Sequence, residues 1–176
     1  MVAAEMLAGH CAAAQDSHVS VSYGIFAKNG TSALRGLYRP EGTEVSATRS
    51  TGSFTASYTH KAGQVLQIGG VLGYACAAQD VAFKSGSAYT HQAHSVALIA
   101  RLDAVWLRRR WVEMYSGLGA GLDIVREKGQ RGFHTSVHAA GQLTAVGIRA
   151  GGAVYGYAEA GWGTLGALNV GLGYRF

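Results

Sequence analysis

Leu168-Asn169-Val170-Gly171-Leu172-Gly173-Tyr174-Arg175-Phe176 is the stretch that decides the fold. On an extended strand successive side chains point to opposite faces. Leu168, Val170, Leu172, Tyr174 and Phe176 therefore share one face, and Ala167, Asn169, Gly171, Gly173 and Arg175 share the other. A strand that is apolar on one side and small or polar on the other suits a wall between lipid and a narrow interior.

The same period of two recurs in seven earlier stretches. Val21, Tyr23 and Ile25 stand opposite Ser20, Ser22 and Gly24. Phe54, Ala56 and Tyr58 stand opposite Ser53, Thr55, Ser57 and Thr59. Leu66, Ile68, Leu72 and Tyr74 alternate with Gln67, Gly69, Val71 and Gly73, and Val96, Leu98, Ala100 and Leu102 with Ser95, Ala97, Ile99, Arg101 and Asp103. Val112, Met114, Leu118, Ala120 and Leu122 alternate with Glu113, Tyr115, Gly117, Gly119, Gly121 and Asp123. Val137, Ala139, Leu143 and Ala145 oppose His134, Ser136, His138, Gln142 and Thr144. Val154, Ala158, Ala160 and Trp162 oppose Tyr155, Tyr157, Glu159 and Gly161. A tilted strand crosses a bilayer in about 9–11 residues, and eight strands close around a space just wide enough for side chains.

Composition agrees. Charged residues make up 14% of the chain, against roughly 25% in soluble domains, too few to cover a wetted surface. The 26 glycines come with a single proline, and they fall mostly on the face that a narrow barrel must keep free of bulk. A soluble sandwich or lipocalin-like barrel would bury the apolar face. The other face, built of Gly, Ser, Thr, His, Arg and Glu, would then have to serve as surface. A core made from that second set would pack poorly. The expected fold is all-β, an eight-stranded antiparallel up-and-down transmembrane β-barrel. The +5 formal charge does not indicate nucleic acid, because the basic residues are scattered. Arg108-Arg109-Arg110 reads as a solvated turn.

Met1–Ala14 is apolar, Ala-rich and ends Ala12-Ala13-Ala14, as the remnant of a secretory signal peptide would. Residues 15–176 are then the barrel domain. Cys11 follows His10 rather than a small residue, which argues against lipidation. Cleavage after Ala14 leaves Cys76 as the one mature cysteine, with no partner for a disulfide. The expected connections alternate in length: long ones at Lys28–Arg49, about Ala77–Thr90 and about Val125–Phe133; short ones at Lys61–Gln64, about Leu107–Arg110 and about Ala150–Gly152. A last, very short outer loop is expected at about Gly163–Gly166. With both termini periplasmic, the long connections are extracellular.

The terminal stretch resembles the C-terminal assembly signal of bacterial outer-membrane barrels. In that pattern a polar residue is followed by Gly two positions on and by aromatics at the third-last and last positions, here Asn169, Gly171, Tyr174 and Phe176. Residues 110–176 also resemble the small outer-membrane β-barrel proteins common in Bacteroidota. The stretches that carry the likeness are Met114-Tyr115-Ser116-Gly117-Leu118-Gly119-Ala120-Gly121, Val146-Gly147-Ile148-Arg149-Ala150-Gly151 and Gly156-Tyr157-Ala158-Glu159-Ala160-Gly161-Trp162-Gly163. The resemblance implies an OmpA/OmpX-like architecture in a Gram-negative outer membrane and assigns no activity.

Parity sends Arg101, Asp103, Glu113, Glu159 and Arg175 into the lumen, with Tyr115, Tyr155 and Tyr157. Charges in a narrow, poorly hydrated interior have to be paired. A plugging network of ion pairs and tyrosines is therefore expected, rather than a proton or ion path. Glu159 is expected beside the strand that carries Arg175. His134, Ser136 and His138 share a face, and His91 is a candidate for an adjacent strand. A His-x-Ser pair resembles that of lipid A deacylases of the PagL kind. Here Val137 follows the Ser in place of Asn, no Glu comes shortly after, and the residues face inward. No third ligand at suitable spacing supports a metal site. Trp106, Trp111, Trp162, Tyr174 and Phe176 read as interfacial anchors.

The expected function is that of a porin-like, non-catalytic integral protein of the cell outer membrane. It would act structurally or through its extracellular loops, alone or as a subunit of a larger membrane complex. Its partners are outer-membrane lipid and lipopolysaccharide, the barrel-assembly machinery during insertion, and other membrane proteins. It needs no cofactor or metal. The alternatives are a lipid A-modifying hydrolase and a narrow channel for small apolar solutes.

Overall fold

The computed structural model describes residues 17–25, 43–83, 88–129 and 132–176, with side chains at 17–25, 51–77, 93–127 and 133–176. Eight strands follow in chain order: β1 (Ser17–Ile25), β2 (Thr43–Lys61), β3 (Leu66–Phe83), β4 (Ala88–Arg108), β5 (Val112–Gly129), β6 (Gly132–Gly151), β7 (Val154–Gly163) and β8 (Leu168–Arg175). Each pairs antiparallel with its chain neighbours, and β1 closes on β8 from His18 opposite Arg175 to Ile25 opposite Leu168. Closure leaves no sheet edge unpaired along that seam.

The barrel is inverted. Leu172 is 63% exposed and Leu98 65%, while the latter's neighbours Ala97 and Ile99 are at most 1% exposed. The outward face of every strand carries large apolar side chains, and the inward face carries Ser53, Thr55, Gln67, Asp103, Glu113, Glu159 and Asn169, all buried. The alternation read from the sequence is thus the alternation of the wall, with the facing that was expected. Two glycines show how bulk fits inside. A Cβ on Gly147 or Gly173 would lie 2.3 Å from the ring of Tyr115 or Tyr155 on the paired strand. Each tyrosine lies flat over the glycine opposite it, a cross-strand pairing that fills a narrow lumen.

Two of the long connections need correction. The ladder between β3 and β4 runs on to Ala82 opposite Ala88, so most of 77–90 is strand. The β5–β6 ladder runs to Gly129 opposite Gly132, so most of 125–133 is strand as well. The apolar period marks only the part of a strand that meets an apolar environment. Backbone pairing continues past it through Ala77-Ala78-Gln79-Asp80, where no greasy face is required. The first long connection also shortens, because β2 already begins at Thr43. Its remainder, 26–42, lies outside the described residues, as does the signal-like segment Met1–Ala14. The short connections occur at 62–65, 109–111 and 152–153. The wall is uneven in height. β1, β7 and β8 have 9, 10 and 8 residues, close to the length that crosses a bilayer, whereas β2–β6 have 18 to 21 and rise past them at the other end.

Candidate functional site

Four of the five charges expected inside form one network near the turn end. Arg101 donates from Nε to Asp103 Oδ1 at 2.7 Å, and its two Nη groups reach Glu159 at 2.6 and 3.2 Å. Tyr115 Oη donates to the same Glu159 at 2.6 Å. Glu113 is buried on the next strand but finds its cations elsewhere. Arg149 Nη1 donates to it at 2.6 Å and Arg108 Nε at 3.0 Å. Arg149 also donates to Gln67 Oε1 at 2.7 Å and reaches Asp103 Oδ2 at 3.5 Å. All six carboxylate oxygens of Asp103, Glu113 and Glu159 thus face a donor, and three carboxylates meet three guanidiniums. Tyr115 lies between two of those guanidiniums, Arg149 at 4.0 Å and Arg101 at 5.6 Å from its ring centroid. The network joins β3, β4, β5, β6 and β7 across the lumen.

Arg149 and Arg108 were not assigned to the interior by parity, and the reason is the same for both. Each lies just past a bulge, which adds a residue to one strand and reverses the facing beyond it. In β6 the register shifts between Thr144 and Val146, so Thr144 and then Gly147 and Arg149 face inward. The bulge is held by Ser116 Oγ donating to the Ala145 carbonyl at 2.6 Å. In β4 the shift falls between Val105 and Leu107, and Arg108 comes opposite Glu113. Arg108 is exposed like Arg109 and Arg110, but its Nε is tied to the buried Glu113.

Arg175 is the fifth expected member, and it stands apart. The register puts Asn169, not Arg175, opposite Glu159. Arg175 lies at the turn end with its guanidinium 5.8 Å from the Tyr155 ring centroid, and among the described residues it makes no ion pair. Tyr155 packs edge-on against His18 and is tilted against Tyr157. Tyr174 and Phe176 stack outside, while Asn169 and Gly171 of the terminal pattern face the lumen.

The other end is stoppered. The short connection after β7 does not stay outside as a loop. Residues 164–167 fold inward, and Leu165, 4% exposed, packs with Val71, Ala97, Ile99 and Ala140. Gln142 holds it on both sides, accepting from Leu165 N at 2.9 Å and donating to the Gly166 carbonyl at 3.0 Å, and Ser53 Oγ donates to the Leu165 carbonyl. Gly166 takes φ +125°, open only to glycine in practice. Beneath Leu165, down to Arg101, there is no room for a water molecule. Nothing in the alternating pattern distinguished this turn from an outer loop. In the sequence, only the glycines that bracket the turn, Gly163 and Gly166, hint at a sharp reversal.

Above the stopper, on the inner face of the tall strands, Ser136 Oγ lies 3.1 Å from His138 Nε2. Asp123 is directly opposite His138 and accepts from Ser95 Oγ at 2.5 Å. His134 is exposed, and the side chain of His91 lies outside the described residues. Among the described residues no three His, Cys, Asp or Glu side chains gather as a metal set.

No family model matches the chain. No curated protein matches it either. Among solved structures it is similar to the crystal structure of Ail, the attachment invasion locus protein of Yersinia pestis, with 13% identity over 92% of this chain and 99% of that one and a TM-score of 0.45.

Proposed function

We propose that this chain is an integral outer-membrane barrel without catalytic activity, which acts as a rigid wall segment presenting its tall β2–β6 end and the adjoining connections outside the cell. The observation that carries this reading is the inverted wall. Large apolar side chains cover the outside, and all six oxygens of the three network carboxylates are occupied within. Water on the outer face would leave Leu, Val, Ile and aromatic side chains exposed around the whole barrel, far beyond the apolar patch of a soluble monomer. Lipid removes that cost, and a closed barrel satisfies every backbone group within it. Trp106, Trp111, Tyr174 and Phe176 near the turn end and Trp162 near the other end stand as interfacial anchors. A lumen filled by matched charges below and Leu165 above favours a structural plug over a conduit. Expressed with a secretory leader in a Gram-negative host, the protein is expected in the outer-membrane fraction, with an unboiled gel band that shifts on heating. A soluble protein, or a band that heating leaves in place, would refute the reading.

One observation favours a second reading, that of a lipid A-modifying hydrolase: the Ser136–His138 contact next to Asp123. A hydroxyl, an imidazole and a carboxylate in sequence are the elements of an activated nucleophile. These groups face the inside of the barrel rather than lipid. The expected outcome for Ser136→Ala is an unchanged lipid A mass profile. A mass difference of one acyl chain between wild type and variant would establish the enzyme instead.

A further inference from the structure

The outer wall changes character between two rows of paired residues. Tyr74, Val96, Ile124 and Val137 stand side by side on β3 to β6, all of them outward. The next outward row is Cys76, His94, Arg126 and Thr135, in the same direct register. His94 and Arg126 are thus cross-strand neighbours, and both are exposed. Tyr74 Oη lies 2.8 Å from His94 Nδ1, and the two rings stack. Donation from that hydroxyl to Nδ1 puts the ring proton on Nε2. Arg126 lies over the ring of Phe133 at 4.5 Å. Phe133 is the next outward residue past Thr135, so the guanidinium leans away from the apolar row. Among the described residues Arg126 makes no ion pair. Glu127, next in the chain, is opposite the buried Ala93 on the other face, where Asp103, Glu113, Asp123 and Glu159 also lie. Depth can be read along β4. His94 is twelve residues from Trp106, the anchor at the turn end. At ~3.4 Å per residue and a strand tilt of about 40°, they are roughly 30 Å apart across the membrane, one hydrocarbon thickness.

We propose that Arg126 and His94 hold the phosphate of an anionic membrane lipid at the end of the wall opposite the short turns. The inference rests on the membrane reading above. A guanidinium and an imidazole N–H, side by side, both donate to phosphate oxygens, and the cation strengthens the bond. The outward side chains beside them supply no carboxylate to compete. Their depth is that of the headgroups, and the acyl chains of the same molecule lie against Val96, Ile124, Leu98 and Leu122 directly beneath. A phosphate already neutralised by its own choline lacks the net charge that Arg126 answers. A small soluble anion makes no use of the apolar rows. Tyr74 is a positioning residue, because it acts through the imidazole.

The test uses the full chain in mild detergent with equal amounts of dioleoyl phosphatidylglycerol and dioleoyl phosphatidylcholine, with bound lipid read by native mass spectrometry. Wild type is expected to retain phosphatidylglycerol over phosphatidylcholine by about tenfold, the worth of one charge-assisted hydrogen bond. Arg126→Gln is expected to abolish that preference. Arg126→Thr takes its place if the Gln variant lacks the heat-shifted folded band. His94→Gln is expected to lower the preference severalfold, and Tyr74→Phe, which keeps the ring and removes the hydroxyl, to lower it in the same direction. Arg109→Gln removes an exposed cation at the turn end and is expected to keep it. Excess inorganic phosphate is expected to leave the bound lipid in place. With the folded band present, no preference in wild type, or an equal one in the Arg126 variant, overturns the site and leaves the membrane reading standing. A preference lost as fully in Arg109→Gln makes it a property of overall charge, and release by inorganic phosphate makes the site one for a free anion; either overturns the proposal. Absence of the folded band from wild type overturns the membrane reading, and the proposal with it.

Discussion

Replacing Arg149 with Met is expected to lower the stability of the folded barrel by about 3–5 kcal/mol, the usual cost of leaving a buried charge without its partner. Arg149 is 5% exposed and serves Glu113, Asp103 and Gln67 at once, with Tyr115 against its face. Its removal leaves Asp103 Oδ2 without a donor and Glu113 Oε1 with only the Gln67 amide at 3.4 Å, in a space that water does not reach easily. Adding Glu113→Gln to the same chain is expected to recover part of the loss, because the stranded charge is then gone and Arg108 is left near a neutral amide. Urea unfolding followed by the heat-shifted band gives both numbers. A change below about 1 kcal/mol for Arg149→Met, in the range of exposed pairs, would mean that this interior is wet and the network is not a plug.

Leu118→Arg is the second large effect. Leu118 is 62% exposed on the outward face of β5, between the lumen glycines Gly117 and Gly119. On a soluble protein an exposed Leu exchanged for Arg stays within about 0.5 kcal/mol. On a lipid-facing wall near the bilayer midplane it costs about 2–4 kcal/mol. Refolding into phospholipid vesicles and unfolding in urea separates the two. A neutral or stabilising result would place that face in water.

Much of the architecture was legible in the chain because lipid and lumen impose opposite chemistry on alternate residues. Leu98 and Leu102 had to be outside if Arg101 and Asp103 were inside, and they are. Three features escaped that logic. Strand length did, because beyond the apolar zone nothing in the side chains marks where pairing ends, as at Ala82 opposite Ala88. The cations of Glu113 did, because single-residue bulges near Trp106 and Ala145 reverse the parity of everything after them, and a bulge leaves no sign in a run of apolar residues. The stopper did, because Leu165 reads like any loop residue until Gln142 and Ser53 are seen to hold it. Four of the six charges of the network were thus visible. Its acids and Arg101 follow from alternation, while Arg149 and Arg108 depend on backbone irregularity.

The central claim is that the greasy face looks into lipid, and β8 tests it residue by residue. Cysteines placed singly from Leu168 to Tyr174 in a Cys11→Ser, Cys76→Ser background can carry a spin label in reconstituted vesicles. Relaxation by oxygen, which concentrates in acyl chains, is then compared with relaxation by a water-soluble nickel chelate. The account predicts strong oxygen contact at 168, 170, 172 and 174 and little at 169, 171 and 173. Chelate contact at 168, 170 and 172, or no alternation at all, would contradict it.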